Sequence, residues 1–235
     1  MYDALADLYD WLVPEALLAP EGSAAAFEMV LGELSPGARV LDCACGTGTL
    51  AVGLALRGFE VTASDASAAM VARTRALASA QRARVEASVR VWEELEGGPF
   101  EAVFCVGNSI THARERRAAL TAMRGVLRDG GLLALTSRTW ERAQEAGEEV
   151  VERHGRRARV RRTWHAGDPP ALEVAVTFDD DGTTHAERMA YWPFTHAELQ
   201  ADLTASGFEP LASTFSLEAG RYLVTSRANS SNASR

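Results

Sequence analysis

The chain has 235 residues, 24 basic and 32 acidic, for a net charge of −8, with 47% hydrophobic residues. This length and apolar content allow one or two domains with a proper core. The acidity argues against a general nucleic-acid binder, and no stretch reaches the roughly 18 apolar residues of a membrane helix. Every basic residue is Arg, as a GC-rich coding sequence gives, so Arg counts carry no functional signal.

Residues 2–13 have apolar positions at helical spacing and end at Pro14. With Asp3, Asp7 and Asp10 and no early basic residue, they do not read as a signal peptide. A second helix is expected from about Ser23 to Leu34, stopped by Ser35-Pro36-Gly37. Ala38–Cys43 reads as a buried strand. The Gly turn Cys45-Gly46-Thr47-Gly48 leads into a helix that ends at Gly58. A strand over 60–64, a helix from Ser67 to about Ala80 and a short strand over Val89–Trp92 follow. Next come a strand over Phe100–Val106, a helix over Arg114–Leu127 and a strand over Leu132–Thr136. Five strand–helix alternations with short connections predict an α/β fold, a Rossmann-like doubly wound sheet of seven mainly parallel strands.

The pattern then changes. A helix is expected from Trp140 to about Val151, followed by three β-like runs, Arg157–Trp164, Leu172–Phe178 and His185–Trp192. Their separators, Gly167-Asp168-Pro169-Pro170 and Asp179-Asp180-Asp181-Gly182, are turn chemistry. Thr195-His196-Ala197-Glu198 is a capping box that opens a helix to Ser206. Strands near Leu211–Phe215 and Arg221–Ser226 close the fold, and the tail 229–235 is expected to be disordered. The expected organisation is an N-terminal helical cap (1–34), a Rossmann-like domain (35–140 and 194–228) and a helix plus antiparallel β insertion (141–193) over one end of the sheet. Cys43, Cys45 and Cys105 are odd in number, and the first two lie two apart, so no disulfide framework is expected. A cytoplasmic protein fits best.

A strand, a tight Gly turn and a helix make a nucleotide site at the carboxyl ends of the strands. Asp65, 19 residues after Gly46, suits ribose hydroxyls. Asp42 stands just before the turn, where a pyrophosphate would meet an anion and a cationic cofactor would be favoured. That disfavours an NAD(P)-dependent oxidoreductase. A non-enzymatic cofactor-binding protein is a further alternative, against which Asn108 and Arg138 argue weakly. No acidic ligand cluster follows the strand over 100–106, so no metal is expected, and the Asp179–Asp181 run reads as a hairpin tip.

The loop LDCACGTG resembles the first motif of class I S-adenosylmethionine-dependent methyltransferases, with Ala44 in place of the first Gly. VTASDASAAM resembles the second motif, FEAVFCVGNSITH the fourth strand and its loop, and LRDGGLLALTSR the fifth. Within that superfamily the chain is most similar to the glycine and glycine/sarcosine N-methyltransferase group. Asp65-Ala66-Ser67 with Met70, Gly107-Asn108-Ser109 with His112, Ser137-Arg138-Thr139-Trp140 and Tyr191-Trp192-Pro193 carry that similarity. The resemblance implies S-adenosylmethionine as cofactor and S-adenosylhomocysteine as product. It implies that Asp42, Ala44 and Gly46 hold the methionine part and Asp65 the ribose, with Gly48 also at the cofactor. Ala66, Met70 and Trp92 would line the adenine pocket, with Val106 and His112 flanking the cofactor.

For the methyl acceptor, the resemblance implies that Arg138 binds a carboxylate, helped by Asn108 and framed by Tyr9 and Tyr191. The implied partner is a small-molecule amine, with neither nucleic acid nor membrane, and the oligomeric state is open. The chain departs from the group in having no Arg before Arg39 and no Tyr in Leu172–Phe178. A larger acceptor, as in natural-product tailoring N- or O-methylation, is therefore the alternative. Trp11, Trp140, Trp164 and Trp192 could cage a methylated cation or belong to the core. The six Arg of 153–162 read first as a solvated strand face.

Overall fold

The computed structural model describes residues 6–142, 145–180 and 183–230. Ala6–Leu12 winds as a 3-10 turn rather than an α-helix. The expected helix over Ser23–Leu34 is two short ones, α1 (Pro20–Ala25) and α2 (Glu28–Leu31). Proline at the first helical position starts α1 earlier than expected, and the non-helical Phe27 (φ −117°, ψ 20°) separates the two.

The alternating part follows as β1 (Arg39–Asp42), α3 (Thr49–Leu56), β2 (Glu60–Asp65), α4 (Ala68–Ala80) and β3 (Val85–Val89). It continues with β4 (Phe100–Cys105), α5 (Arg116–Val126) and β5 (Leu127–Arg138). The third strand ends where it was expected to begin. Val85, Ala87 and Val89 pair with β2, and Trp92 sits in a 3-10 turn just beyond.

Four strands then form a separate antiparallel meander: β6 (Gly147–Arg153), β7 (Arg156–His165), β8 (Ala171–Asp180) and β9 (Thr183–Tyr191). The expected helix over Trp140–Val151 is thus corrected. Glu148 and Glu149 of β6 reach Arg161 and Arg162 of β7 at 2.7 and 2.6 Å, and tertiary pairing overrides helix propensity. Asp181 and Gly182 of the expected turn, residues 2–5 of the first helix and 231–235 of the tail lie outside the described residues.

The chain returns through α6 (His196–Ala205), opened by the capping box in which Thr195 accepts from the Glu198 N–H. It ends with β10 (Phe208–Ser213), earlier than expected, and β11 (Arg221–Ala228). The large sheet runs β10-β11-β5-β4-β1-β2-β3. β3, β2, β1, β4 and β5 are parallel, and β11 is antiparallel to β5. The seven-stranded, mainly parallel sheet is as expected.

Val40, Leu41, Val103 and Phe104 on the central strands are buried on both faces of the sheet. One face packs Phe100, Leu120, Met123 and Leu199 with α5 and α6, and the other packs Phe27, Leu50 and Leu54 with α2 and α3. Each such side chain contributes about 1.5–3 kcal/mol of burial. A third cluster joins Leu8 and Trp11 to Val160, Val176, Phe178 and Met189 of the small sheet. The N-terminal segment therefore packs on the meander and is positioned over the carboxyl ends of β1 and β4.

Candidate active site

The site is built at those carboxyl ends. Gly46 and Gly48 hold positive φ, +53° and +88°, a conformation that favours glycine. Their reasons differ. A Cβ on Gly48 would stand 2.8 Å from Thr74 of α4, so Gly48 serves helix packing and does not line the cavity. A Cβ on Gly46 would meet the Tyr9 ring at 3.5 Å, and Gly46 faces the open space. Thr74 fixes the turn by donating to the Gly46 carbonyl at 2.9 Å.

Asp65 ends β2 and accepts from the backbone N–H of Gly46 and of Ser67, both at 2.9 Å. It thereby ties the two motif loops together at the rim of a cavity of about 400 Å³. Ala44, Ala66, Met70, Trp92 and His112 also line this cavity. Trp92 is oriented by its indole N–H, which donates to the Cys43 carbonyl at 2.9 Å. Val106 and Asn108 are not among the lining residues; the loop contributes Gly107 and Ser109 instead. Sequence reasoning missed Ser109, although it lies beside Asn108.

Asp42 is 1% exposed and lies beneath the Gly turn rather than in the cavity wall. Burial raises its carboxyl to about pKa 7, against backbone hydrogen bonds from Ala44 and Ala51 that favour the charged form. Among the described residues its Oδ1 has no hydrogen-bond partner. A buried, incompletely satisfied carboxylate behind a Gly turn suits a ligand with a cationic group and repels a pyrophosphate. The residues present therefore fit S-adenosylmethionine.

His112 Nδ1 lies 2.7 Å from the Ala190 carbonyl. A carbonyl only accepts, so the ring proton sits on Nδ1. Burial lowers the imidazole to about pKa 4, which keeps it neutral near pH 7. Its ring packs on Tyr191 at 4.6 Å, and Trp140 packs on Tyr191 from 5.8 Å. Trp11 is edge-on to Phe178 in the small-sheet core, and Trp164 is exposed on β7.

Asn108 stands at φ +70°. Its Oδ1 accepts from the Arg138 N–H at 2.9 Å, joining the loop after β4 to the end of β5. Arg138 lies over Trp140 at 5.6 Å, with Tyr191 and Arg221 in electrostatic range. Tyr9 joins the two halves. Burial and the neighbouring Asp65 and Tyr191 raise its hydroxyl well above 10, so it stays protonated, while Arg221 acts in the opposite sense. Arg221, at the start of β11, escaped sequence reasoning. No motif marks it, and only the β5–β11 register sets it opposite Arg138. Of the Arg-rich stretch, Arg159 and Arg161 pair with Glu148 and Arg162 with Glu149, while Arg153 lies over Trp11.

Residues 40–131 match the family described as Methyltransferase domain. A glycine/sarcosine N-methyltransferase of Parasynechococcus marenigrum is 31% identical over 188 residues, 75% of this chain and 65% of that protein. A glycine N-methyltransferase of Oryctolagus cuniculus is 35% identical over 130 residues, 46% of this chain and 43% of that protein. The match thus spans less than two thirds of either relative. Among solved structures, the CcbJ methyltransferase of Streptomyces caelestis superposes with a TM-score of 0.82 at 19% identity over 97% of both chains. An S-adenosylmethionine-bound amino pentose methyltransferase of Micromonospora echinaspora gives 0.70 at 23% identity over 95% of both chains, and both show the fold. The domain match over residues 40–131, the sheet order and a cavity suited to a cationic nucleotide together identify an S-adenosylmethionine-dependent methyltransferase domain within this chain.

Proposed function

We propose that the protein methylates the amine of a small carboxylated molecule such as glycine, sarcosine or a related amino acid. The observation that carries this reading is Arg138, at the carboxyl end of β5. It is tied to the cofactor loop through Asn108 and stands beside Tyr191. A planar guanidinium suits bidentate carboxylate binding. The glycine and glycine/sarcosine N-methyltransferase names of the relatives support it further.

When bound, S-adenosylmethionine supplies a methyl group activated by its sulfonium and leaves as S-adenosylhomocysteine. Asp42, Ala44 and Gly46 would hold its methionine part, Asp65 its ribose hydroxyls, and Ala66, Met70 and Trp92 its adenine. The protein's remaining task is to hold an amine lone pair in place and exclude water. Arg138 anchors the carboxylate, and the Asn108 amide adds a donor. Tyr9 and Tyr191 frame the acceptor, and protonated Tyr9 adds no negative charge that would stabilise an ammonium. Neutral His112 leaves the amine free to arrive as the neutral nucleophile. A larger natural-product amine or hydroxyl is the second reading, favoured by the absence of Tyr from Leu172–Phe178 in the small sheet.

Methyl transfer to glycine, sarcosine and dimethylglycine, measured for wild type and Arg138→Ala, tests the reading. The variant is expected to lose roughly 10- to 100-fold in kcat/KM, as for a lost charge-assisted bond. Equal activity of the two proteins removes Arg138 from this role.

A further inference from the structure

Arg138 and Arg221 are directly paired residues on the antiparallel strands β5 and β11. Directly opposed residues of such a pair project to the same face of the sheet. The next pair, Ser137 and Tyr222, faces the other way, where Tyr222 is buried with α5 and α6. The two guanidinium groups therefore share the face on which Tyr9 covers the Gly turn. Like charges set directly opposite each other in a sheet are unfavourable. Burial lowers the pKa of both arginines, Arg221 lowers that of Arg138 further, and Arg153 acts in the same sense on each.

Among the described residues no carboxylate pairs with Arg221, while Arg162 nearby has Glu149 and Arg116 has Asp202. The groups facing Arg221 are Arg138, Arg153, Tyr9 and Tyr191, and the two hydroxyls are its favourable neighbours. One monoanionic carboxylate is matched by one guanidinium fork. Two forks on one sheet face, held against their own repulsion, match an anion of greater charge.

We propose that Arg221 joins Arg138 in a clamp for an acceptor whose anionic end carries two charges, as a second carboxylate or a phosphate. This deepens the carboxylated-amine reading and rests on it. It makes Arg221 a residue that selects between acceptors. Glycine, with one carboxylate, engages half of the clamp.

Anion binding tests the clamp separately from methyl transfer. The protein saturated with S-adenosylhomocysteine is titrated calorimetrically with acetate, succinate and inorganic phosphate, for wild type, Arg221→Gln and Arg221→Lys. Wild type is expected to bind succinate or phosphate at least about tenfold tighter than acetate. Succinate bound tighter and phosphate not assigns the clamp to dicarboxylates, and the reverse assigns it to phosphates. Arg221→Gln is expected to erase the preference and Arg221→Lys to keep part of it. A rise in melting temperature with S-adenosylhomocysteine shows that each variant is folded. Should Arg221→Gln not fold, Arg221→Lys decides, because it keeps the charge and loses the fork. Methyl transfer to aspartate and to phosphoethanolamine is then compared with transfer to glycine.

Equal binding of acetate and both dianions by wild type overturns the clamp and leaves the carboxylated-amine reading standing. So does an undiminished preference in the Arg221 variants. Tight dianion binding without methyl transfer to any of these amines supports the clamp and sinks the amine reading.

Discussion

Asp42 carries the clearest consequence at the scale of single residues. Its carboxyl titrates at about 7 in the fold against an ordinary 3.8, so the folded chain holds the proton more tightly than the unfolded one. Stability of the ligand-free protein then falls as pH rises between about 4 and 7, the opposite of an ion-paired carboxylate, and stays reduced above that range. Asp42→Asn is expected to melt higher than wild type at pH 8 and alike at pH 4. A cationic ligand favours the charged form, so wild-type affinity for S-adenosylhomocysteine should rise from pH 6 to pH 8. The variant should lose that rise and bind at least about tenfold more weakly. Identical melting of the two proteins at pH 8 would contradict the buried-charge account. Asp42 was legible because a charge inside an apolar run followed by glycines has few structural uses. Arg221 was not, because each of the 24 basic residues is Arg and strand register is invisible in a lone sequence. Gly48 shows the converse. Its motif position was visible, but its reason is the side of Thr74, 28 positions from the site's other tie at Gly46.

Among the elements, the N-terminal 3-10 turn and the small sheet form one unit. Trp11 is 4% exposed, donates to the Arg156 carbonyl at 3.1 Å and meets Phe178 edge-on at 5.2 Å. Trp11→Ala is expected to cost about 3–5 kcal/mol, read from urea denaturation. It should also raise KM for the acceptor, because Tyr9 is seated two residues away. Glu148→Ala, which removes half-exposed ion pairs on β6, should cost less than about 1 kcal/mol. Equal effects of the two changes would mean that the ion pairs, not the indole, hold the unit. The large sheet could be read from its apolar runs and turn glycines, since buried parallel strands leave little room for polar residues. The same logic failed over 147–153. Glu148, Glu149 and Glu152 suit a helix locally, and their place in a sheet edge depends on the partners Arg161, Val160 and Arg157 on the next strand. The third strand was misplaced for a related reason: Val85–Val89 is an edge strand of mixed exposure, without a continuous apolar run.

For the molecule as a whole, ligand binding and folding are linked. At 100 times its Kd, S-adenosylhomocysteine adds about 2.7 kcal/mol. For a chain of this size each kcal/mol moves the melting temperature by about 2–4 °C. A rise of about 5–10 °C is expected with S-adenosylhomocysteine and none with NAD; the reverse pattern would contradict the site. Charge is also unevenly placed. The net −8 of the chain surrounds an arginine-rich face formed by Arg138, Arg153 and Arg221, so an anionic acceptor is attracted locally by a protein that repels it at a distance. The hydrogen bond from Trp11 to Arg156 spans 145 positions, which has a consequence for the order of assembly. During synthesis the segment bearing Leu8 and Trp11 leaves the ribosome long before the strands that receive it. β1 to β4, with their Gly turn, can pair while the segment bearing Tyr9 still has no seat. The roof of the cavity is therefore made well before the strands that seat it and docks after them, with a loop-closure entropy that the central parallel strands do not share.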